Sequence, residues 1–210
     1  SGKTLAYLLP ILTGIDSSGM ALQVAILSPT QELAVQIHDC ICSLESSTTS
    51  SVRRQLLIGN ASAQRQKEKL KKKPHIVVGT LGRMLELART GKLKLHQCRS
   101  VVIDEADNLL ADDRIADVEA FIKMTPRDRQ LVFTSATHKG GAFDIAESIG
   151  KDVQWRAARA PQAQAPAIEH SFVETRYHNK GRVLQQLLQV LKPERAIVFV
   201  HRNISAEELG

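Results

Sequence analysis

Aromatic residues are scarce in this chain. Of 210 residues, five are Phe, two Tyr and one Trp, together 4%. A protein that grips nucleic acid by stacking bases on aromatic platforms needs more of them, so a nucleic-acid partner would have to be held through its backbone. Cysteine is scarcer still. Three cysteines, an odd number, are too few for the disulfide scaffold of a small secreted domain, and a reducing intracellular compartment is the expectation. The 12 Gly and 7 Pro fall far below collagen-like or low-complexity levels. No apolar run approaches the roughly 20 residues that cross a bilayer, so no membrane partner is expected. The chain opens on Ser1 rather than Met, and we read it as a piece of a longer protein whose targeting segment would lie upstream.

What is present is ordinary for a globular chain. Hydrophobic residues make up 43% and charged residues 24%, enough apolar surface to build a core. The 28 Lys and Arg exceed the 22 Asp and Glu by six. That balance suits phosphate contact, and equally suits any soluble protein of modest charge. The length fits one domain and part of a second.

Short apolar runs alternate with amphipathic stretches. Residues 21–28 (ALQVAILS), 53–59, 75–79, 99–103 and 130–135 read as strands rich in Val, Ile and Leu. Near-continuous apolar strands are expected where helices cover both faces of a parallel sheet. Between them, residues 30–44 carry Leu33, Ile37, Ile41 and Leu44 at helical spacing. Further helices are expected from Thr80, over 61–73 (strongly basic) and over 143–149. The alternation predicts an α/β doubly wound domain with a largely parallel sheet. Residues 156–166 (RAARAPQAQAP) have linker composition. Beyond them a strand over 168–175, a helix over 181–191 and a strand over 195–200 are expected. The domain reading is 1–156, a linker at 157–167, and the start of a second domain at 168–210.

The chemistry-bearing residues begin at once. Ser1-Gly2-Lys3-Thr4 is the end of a phosphate-binding loop pattern running into an apolar helix. Gly2 lets the backbone approach a phosphate, and the helix start offers free N–H groups. Lys3 supplies a point charge for β and γ phosphates. Thr4 offers a hydroxyl to Mg²⁺, which takes few protein ligands. The alternative is an ordinary helix cap. Downstream, 101–107 (VVIDEAD) drives an apolar strand into acids. Asp104 would sit at the carboxyl edge of a parallel sheet, where ligands bind, and hold Mg²⁺ directly or through water. Glu105 could orient and deprotonate an attacking water. A first helical turn also favours acids, which is the plainer account. The pairing of the two motifs favours nucleotide hydrolysis, with ATP and Mg²⁺ as cofactors and Lys3, Asp104 and Glu105 as its catalytic residues.

In order, these segments resemble the DEAD-box ATP-dependent RNA helicases, which are built from two RecA-like domains. Residues 29–34 (PTQELA) are similar to the family's PTRELA segment, Gly59-Asn60 to its Gly-Gly pair, and 80–83 (TLGR) to its TPGR segment. Asp104-Glu105-Ala106-Asp107 is the name-giving motif, Ser135-Ala136-Thr137 its SAT segment, and 198–203 (VFVHRN) resembles the first motif of the second domain. The resemblance implies a RecA-like P-loop fold followed by a truncated second RecA-like domain. It implies an RNA track of Pro29, Thr30, Gln31, Gly59, Thr80, Gly82 and Arg83, contacting the sugar-phosphate backbone without reading sequence. It also implies that Ser135 or Thr137 contacts Asp107 and couples hydrolysis to strand separation. Plainer accounts exist: Arg83 pairs with Glu86, and the two hydroxyls cap a strand end. A monomer is expected.

The chain departs from the family pattern at Gln31, Asn60 and Leu81, which replace Arg, Gly and Pro. These changes point to a divergent member, with RNA coupling in question. Lys67, Lys69 and Lys71 to Lys73 form a basic cluster, read as a solvated helix end or an auxiliary phosphate contact. Cys40 and Cys42 fall on different helix faces and the seven His lack ligand spacing, so no further metal site is expected. The family's upstream strand and adenine-reading segment, and its downstream arginine-rich motif, would lie outside the chain. The isolated chain is therefore expected to be a feeble ATPase. A catalytically incomplete RNA-binding or regulatory module is the alternative function, and a DNA helicase the weaker one.

Overall fold

The apolar runs between residues 21 and 135 each form a strand in the computed structural model. They are β1 (Val24–Ser28), β2 (Arg54–Leu57), β3 (Ile76–Thr80), β4 (Ser100–Ile103) and β5 (Gln130–Phe133). The structure describes residues 2–45, 52–59, 62–111, 113–136, 141–156, 169–176 and 179–200. All four pairings are parallel, in the order β2-β3-β1-β4-β5. Helices intervene: α1 (Lys3–Thr13), α2 (Gln31–Glu45), α3 (Ala63–Leu70), α4 (Leu81–Arg89), α5 (Ala106–Leu109), α6 (Ile115–Lys123) and α7 (Gly141–Ile149).

The inner strands β1, β3 and β4 read as unbroken apolar runs because both faces of the sheet are buried there, while the edge strands β2 and β5 are only partly buried. Within β1 every residue is buried, yet successive side chains serve different cores. Val24 and Ile26 pack with Tyr7 and Leu8 of α1 and with Ile37 and Ile41 of α2. Ala25 and Leu27 face the other way, onto Met84, Phe121 and Ala146 of α4, α6 and α7. This is the period-two alternation of a strand, with each phase finding its own helical layer. Gly79 is needed at the β2–β3 contact: a Cβ there would lie 2.2 Å from the Leu57 carbonyl oxygen.

The helix start offered as the plainer account of the acids is present as the one-turn α5, with Asp107 in its first turn. Only α6 went unanticipated among the described helices of the first unit. In α6, Val118, Phe121 and Ile122 form a helical stripe buried in the core. The basic helix is shorter than expected, and Ser62 caps its start by accepting from the Arg65 N–H.

The chain divides into two units, 1–157 and 158–210. Within the second, α8 (Lys180–Leu191) forms as expected. The expected strands over 168–175 and 195–200 do not form among the described residues. A strand persists only through ladder bonds to a neighbour, and the described part of this unit offers none. Phe172 and Phe199 are accordingly 88% and 91% exposed. The expected linker at 157–167 lies outside the described residues. No helix among those described is long and apolar enough to cross a membrane.

Candidate nucleotide site and its family

The carboxyl edge of the sheet gathers the chemistry. Gly2 takes a left-handed conformation (φ 74°) immediately before α1, a geometry glycine alone adopts without strain. Among the described residues no acidic side chain sits in the first turn of α1 and none caps it, so no side chain competes with an anion for its N–H groups. Lys3 follows, and its Nζ donates to the backbone oxygen of Ser135 at 3.0 Å. This contact draws the phosphate-loop lysine onto the loop after β5.

The acids are placed by β4. Asp104 N donates to Leu27 O at 3.0 Å, which ties the residue to the end of β1 and leaves it 8% exposed. Glu105 is left-handed (φ 50°, ψ 57°). For a non-glycine residue this is a strained conformation, held by its surroundings. Thr134 does the holding. Its hydroxyl donates to Asp104 Oδ1 and accepts from Glu105 N at 3.3 Å, and its carbonyl accepts from Ala106 N at 2.7 Å. The ends of β4 and β5 are thus stitched together around the acid pair.

These groups line one cleft of about 600 Å³, together with Thr4, Leu33, Asp107 and Ser135. Thr4 and Asp104 bring a hydroxyl and a carboxylate to it, the hard oxygen donors that Mg²⁺ takes, so the donor set fits that ion. Beneath them Tyr7 is buried, and its hydroxyl makes no hydrogen bond of good geometry. Burial and then the Asp104 charge push its pKa up, and the nearby Thr4 hydroxyl acts in the opposite direction.

The expected site residues are distributed as follows. Lys3, Thr4, Asp104, Glu105, Asp107 and Ser135 meet in the cleft, with Gly2 at its helix start. Ser1 and Thr137 lie outside the described residues, as does Asn60. Thr134 and Tyr7 were missed. Thr134 had been read only as part of a strand, although a hydroxyl at a strand's carboxyl end was a usable signal. Tyr7 lies three residues after Thr4, on the same helix face.

The expected RNA residues occupy the same sheet edge, at the ends of β1, β2 and β3. Thr30 caps α2 by accepting from Leu33 N at 3.3 Å. Thr80 precedes α4 without a side-chain cap bond. A Cβ on Gly82 would meet nothing within 4 Å, so the backbone there is bare. Arg83 is engaged: it bonds Glu86 Oε2 at 2.7 Å and donates to the carbonyls of Ile58 and Gly59. The local pair posed as the plainer account is therefore present, and only 12% of the Arg83 side chain is exposed.

A profile of the DEAD/DEAH box helicases matches residues 1–144. The chain belongs to the DEAD/DEAH box helicase family. It is 38% identical to the probable ATP-dependent RNA helicase YfmL of Bacillus subtilis and 37% to the DEAD-box ATP-dependent RNA helicase CshC of Bacillus cereus. All of the chain aligns with each, over 56% and 53% of their lengths. The chain therefore spans about half the length of these relatives. A solved DEAD-box protein from Methanococcus jannaschii matches the whole chain with 29% identity and a TM-score of 0.70, over 55% of that protein. Yeast Dbp5 bound to RNA and ADP BeF3 matches 99% of the chain with 25% identity and a TM-score of 0.81, over 52% of that protein. This DEAD-box chain has the RecA-like fold of those structures, with a five-stranded, all-parallel sheet.

Proposed function

We propose that this DEAD-box chain is the ATP-binding section of an RNA-stimulated ATPase that locally unwinds or remodels RNA. One observation carries the reading: Lys3, Thr4, Asp104 and Glu105 share a single cleft. Gly2 and the first turn of α1 receive phosphate oxygens, and Lys3 offsets their charge after releasing Ser135. Glu105 orients the attacking water and takes its proton. Thr134 fixes the Asp104 carboxylate through its hydroxyl. Thr4 and Asp104 would hold Mg²⁺, Asp104 partly through water, and the bound ion would neutralise phosphate charge.

RNA lies along Pro29, Thr30, Gln31, Thr80, Gly82 and Gly59, held by backbone phosphates and 2′-hydroxyls without sequence reading. Arg83 serves this track by securing the loop at Gly59. The RNA-bound structure of yeast Dbp5 supports the assignment. We read residues 1–156 as a first RecA-like domain, 157–167 as a linker and 168–210 as the start of a second. The three free cysteines suit a reducing compartment.

The test is ATP turnover of the full-length protein with and without single-stranded RNA. RNA should stimulate turnover, and Glu105→Gln should abolish the stimulation while ATP still binds. Absence of RNA-stimulated turnover in the unaltered full-length protein would sink the reading and leave an RNA-binding module without catalysis.

A further inference from the structure

On the outward side of α2, away from the residues assigned above, three side chains of different chemistry converge. Asp39 Oδ1 lies 3.4 Å from His38 Nδ1, and Cys42 Sγ lies 3.7 Å from the same nitrogen. All three donor atoms fall within 4.8 Å of one another. His38 and Cys42 are four residues apart and therefore share a helix face. This corrects the expectation that the histidines lack ligand spacing: His38 has Cys42 one helical turn away.

We propose that His38, Asp39 and Cys42 form a binding site for a borderline-soft divalent cation, Zn²⁺ being the best fit. The argument is metric. Zn²⁺ binds imidazole nitrogen at about 2.0 Å, thiolate sulfur at about 2.3 Å and carboxylate oxygen at about 2.0 Å, in tetrahedral geometry. Such a tetrahedron has N···S and N···O edges of about 3.6 and 3.3 Å. The observed 3.7 and 3.4 Å match these edges before any ion has drawn the ligands together. Imidazole, thiolate and carboxylate together select zinc over magnesium or calcium, which favour all-oxygen shells.

The surroundings suit such an ion. Arg54 Nε donates to Cys42 Sγ at 2.9 Å, an outer hydrogen bond of the kind that orients a metal-bound ligand. The ion would displace the thiol proton, so Cys42 and Asp39 would together bring two negative charges to a dication. His38 and Asp39 side chains are 23% and 70% exposed, which leaves an entry path and a fourth vertex open to water. The helix itself preorganises the trio, since α2 is anchored by Ala34, Ile37 and Ile41 in the core. A bound ion would bridge the backbone from residue 38 to residue 42 and stabilise the folded chain by mass action.

The proposal stands apart from ATP and RNA and is tested on the 210-residue chain without either. ZnCl₂ titration should show one saturable equivalent and a rise in melting temperature. CoCl₂ should give a thiolate-to-cobalt charge-transfer band that Zn²⁺ displaces. Cys42→Ser should abolish the band, and both it and His38→Ala should weaken Zn²⁺ binding by more than about tenfold. Cys40→Ser, two residues from Cys42 and turned toward the core, should keep both. Far-UV circular dichroism establishes that each variant is folded. No saturable equivalent, no thiolate band, a band that survives Cys42→Ser, or a band lost with Cys40→Ser would each overturn the site.

Discussion

At Asp104 a single hydroxyl decides what the carboxylate can do. Thr134 donates to it and accepts from the Glu105 N–H, so one side chain orients one acid and holds the backbone of the other. Thr134→Val keeps the shape and removes both bonds. Two largely enclosed polar groups then lose a partner, at a cost of about 1–3 kcal/mol. Urea unfolding should report that loss, and ATP turnover of the full-length protein should fall by about tenfold or more, since 1.4 kcal/mol is already a factor of ten. Thr134→Ser, which retains the hydroxyl, should recover most of the turnover. Cys98 illustrates the opposite case of a residue without chemistry. Burial pushes its thiol up to about 12, against the weaker pull of backbone contacts at Ser100 and Ala25, so it packs as a small apolar group.

Two glycines on neighbouring elements separate packing from binding. Gly79→Ala in β3 drives a methyl into the Leu57 carbonyl, and backbone cannot yield as a side chain can. The expected cost is about 3 kcal/mol or more, read as a lowered urea midpoint. Gly82→Ala in α4 meets open space. It should raise stability by about 0.5–1 kcal/mol through reduced chain entropy while weakening RNA binding by the full-length protein, measured by fluorescence anisotropy. The same contrast explains what was legible. The inner strands β1, β3 and β4 were readable because burial on both faces writes an unbroken apolar run, and the partly buried edge strands β2 and β5 still carry Leu56, Leu57, Leu131 and Val132. Residues 195–200 carry the same signature and form no strand, because pairing depends on a neighbour that composition cannot express. The acids and the phosphate loop were readable because local sequence carries both the turn and the chemistry. Thr134 was not, because its role arises only where β4 and β5 lie side by side, 30 residues apart in sequence.

For the whole molecule, the two units differ in what they can do alone. The first buries its inner strands on both faces and brings Lys3, Thr4, Asp104 and Glu105 into one cleft. The second exposes Phe172, Ile197 and Phe199. Since the chain spans about half the length of its relatives, its ATP turnover is expected to be at least about tenfold below that of the full-length protein, a gap worth about 1.4 kcal/mol in the barrier. Equal turnover would show that residues 1–210 are a sufficient catalyst. The strand order has a further consequence, for synthesis. β1 sits in the middle of the sheet, yet Val24 pairs with Ile76 on one side and Ser100 on the other. Of the five described strands β1 is translated first, and it must wait for both flanks to follow. Until then its apolar edge is unprotected, and a pause in elongation before residue 100 would favour capture by a chaperone or by another nascent copy.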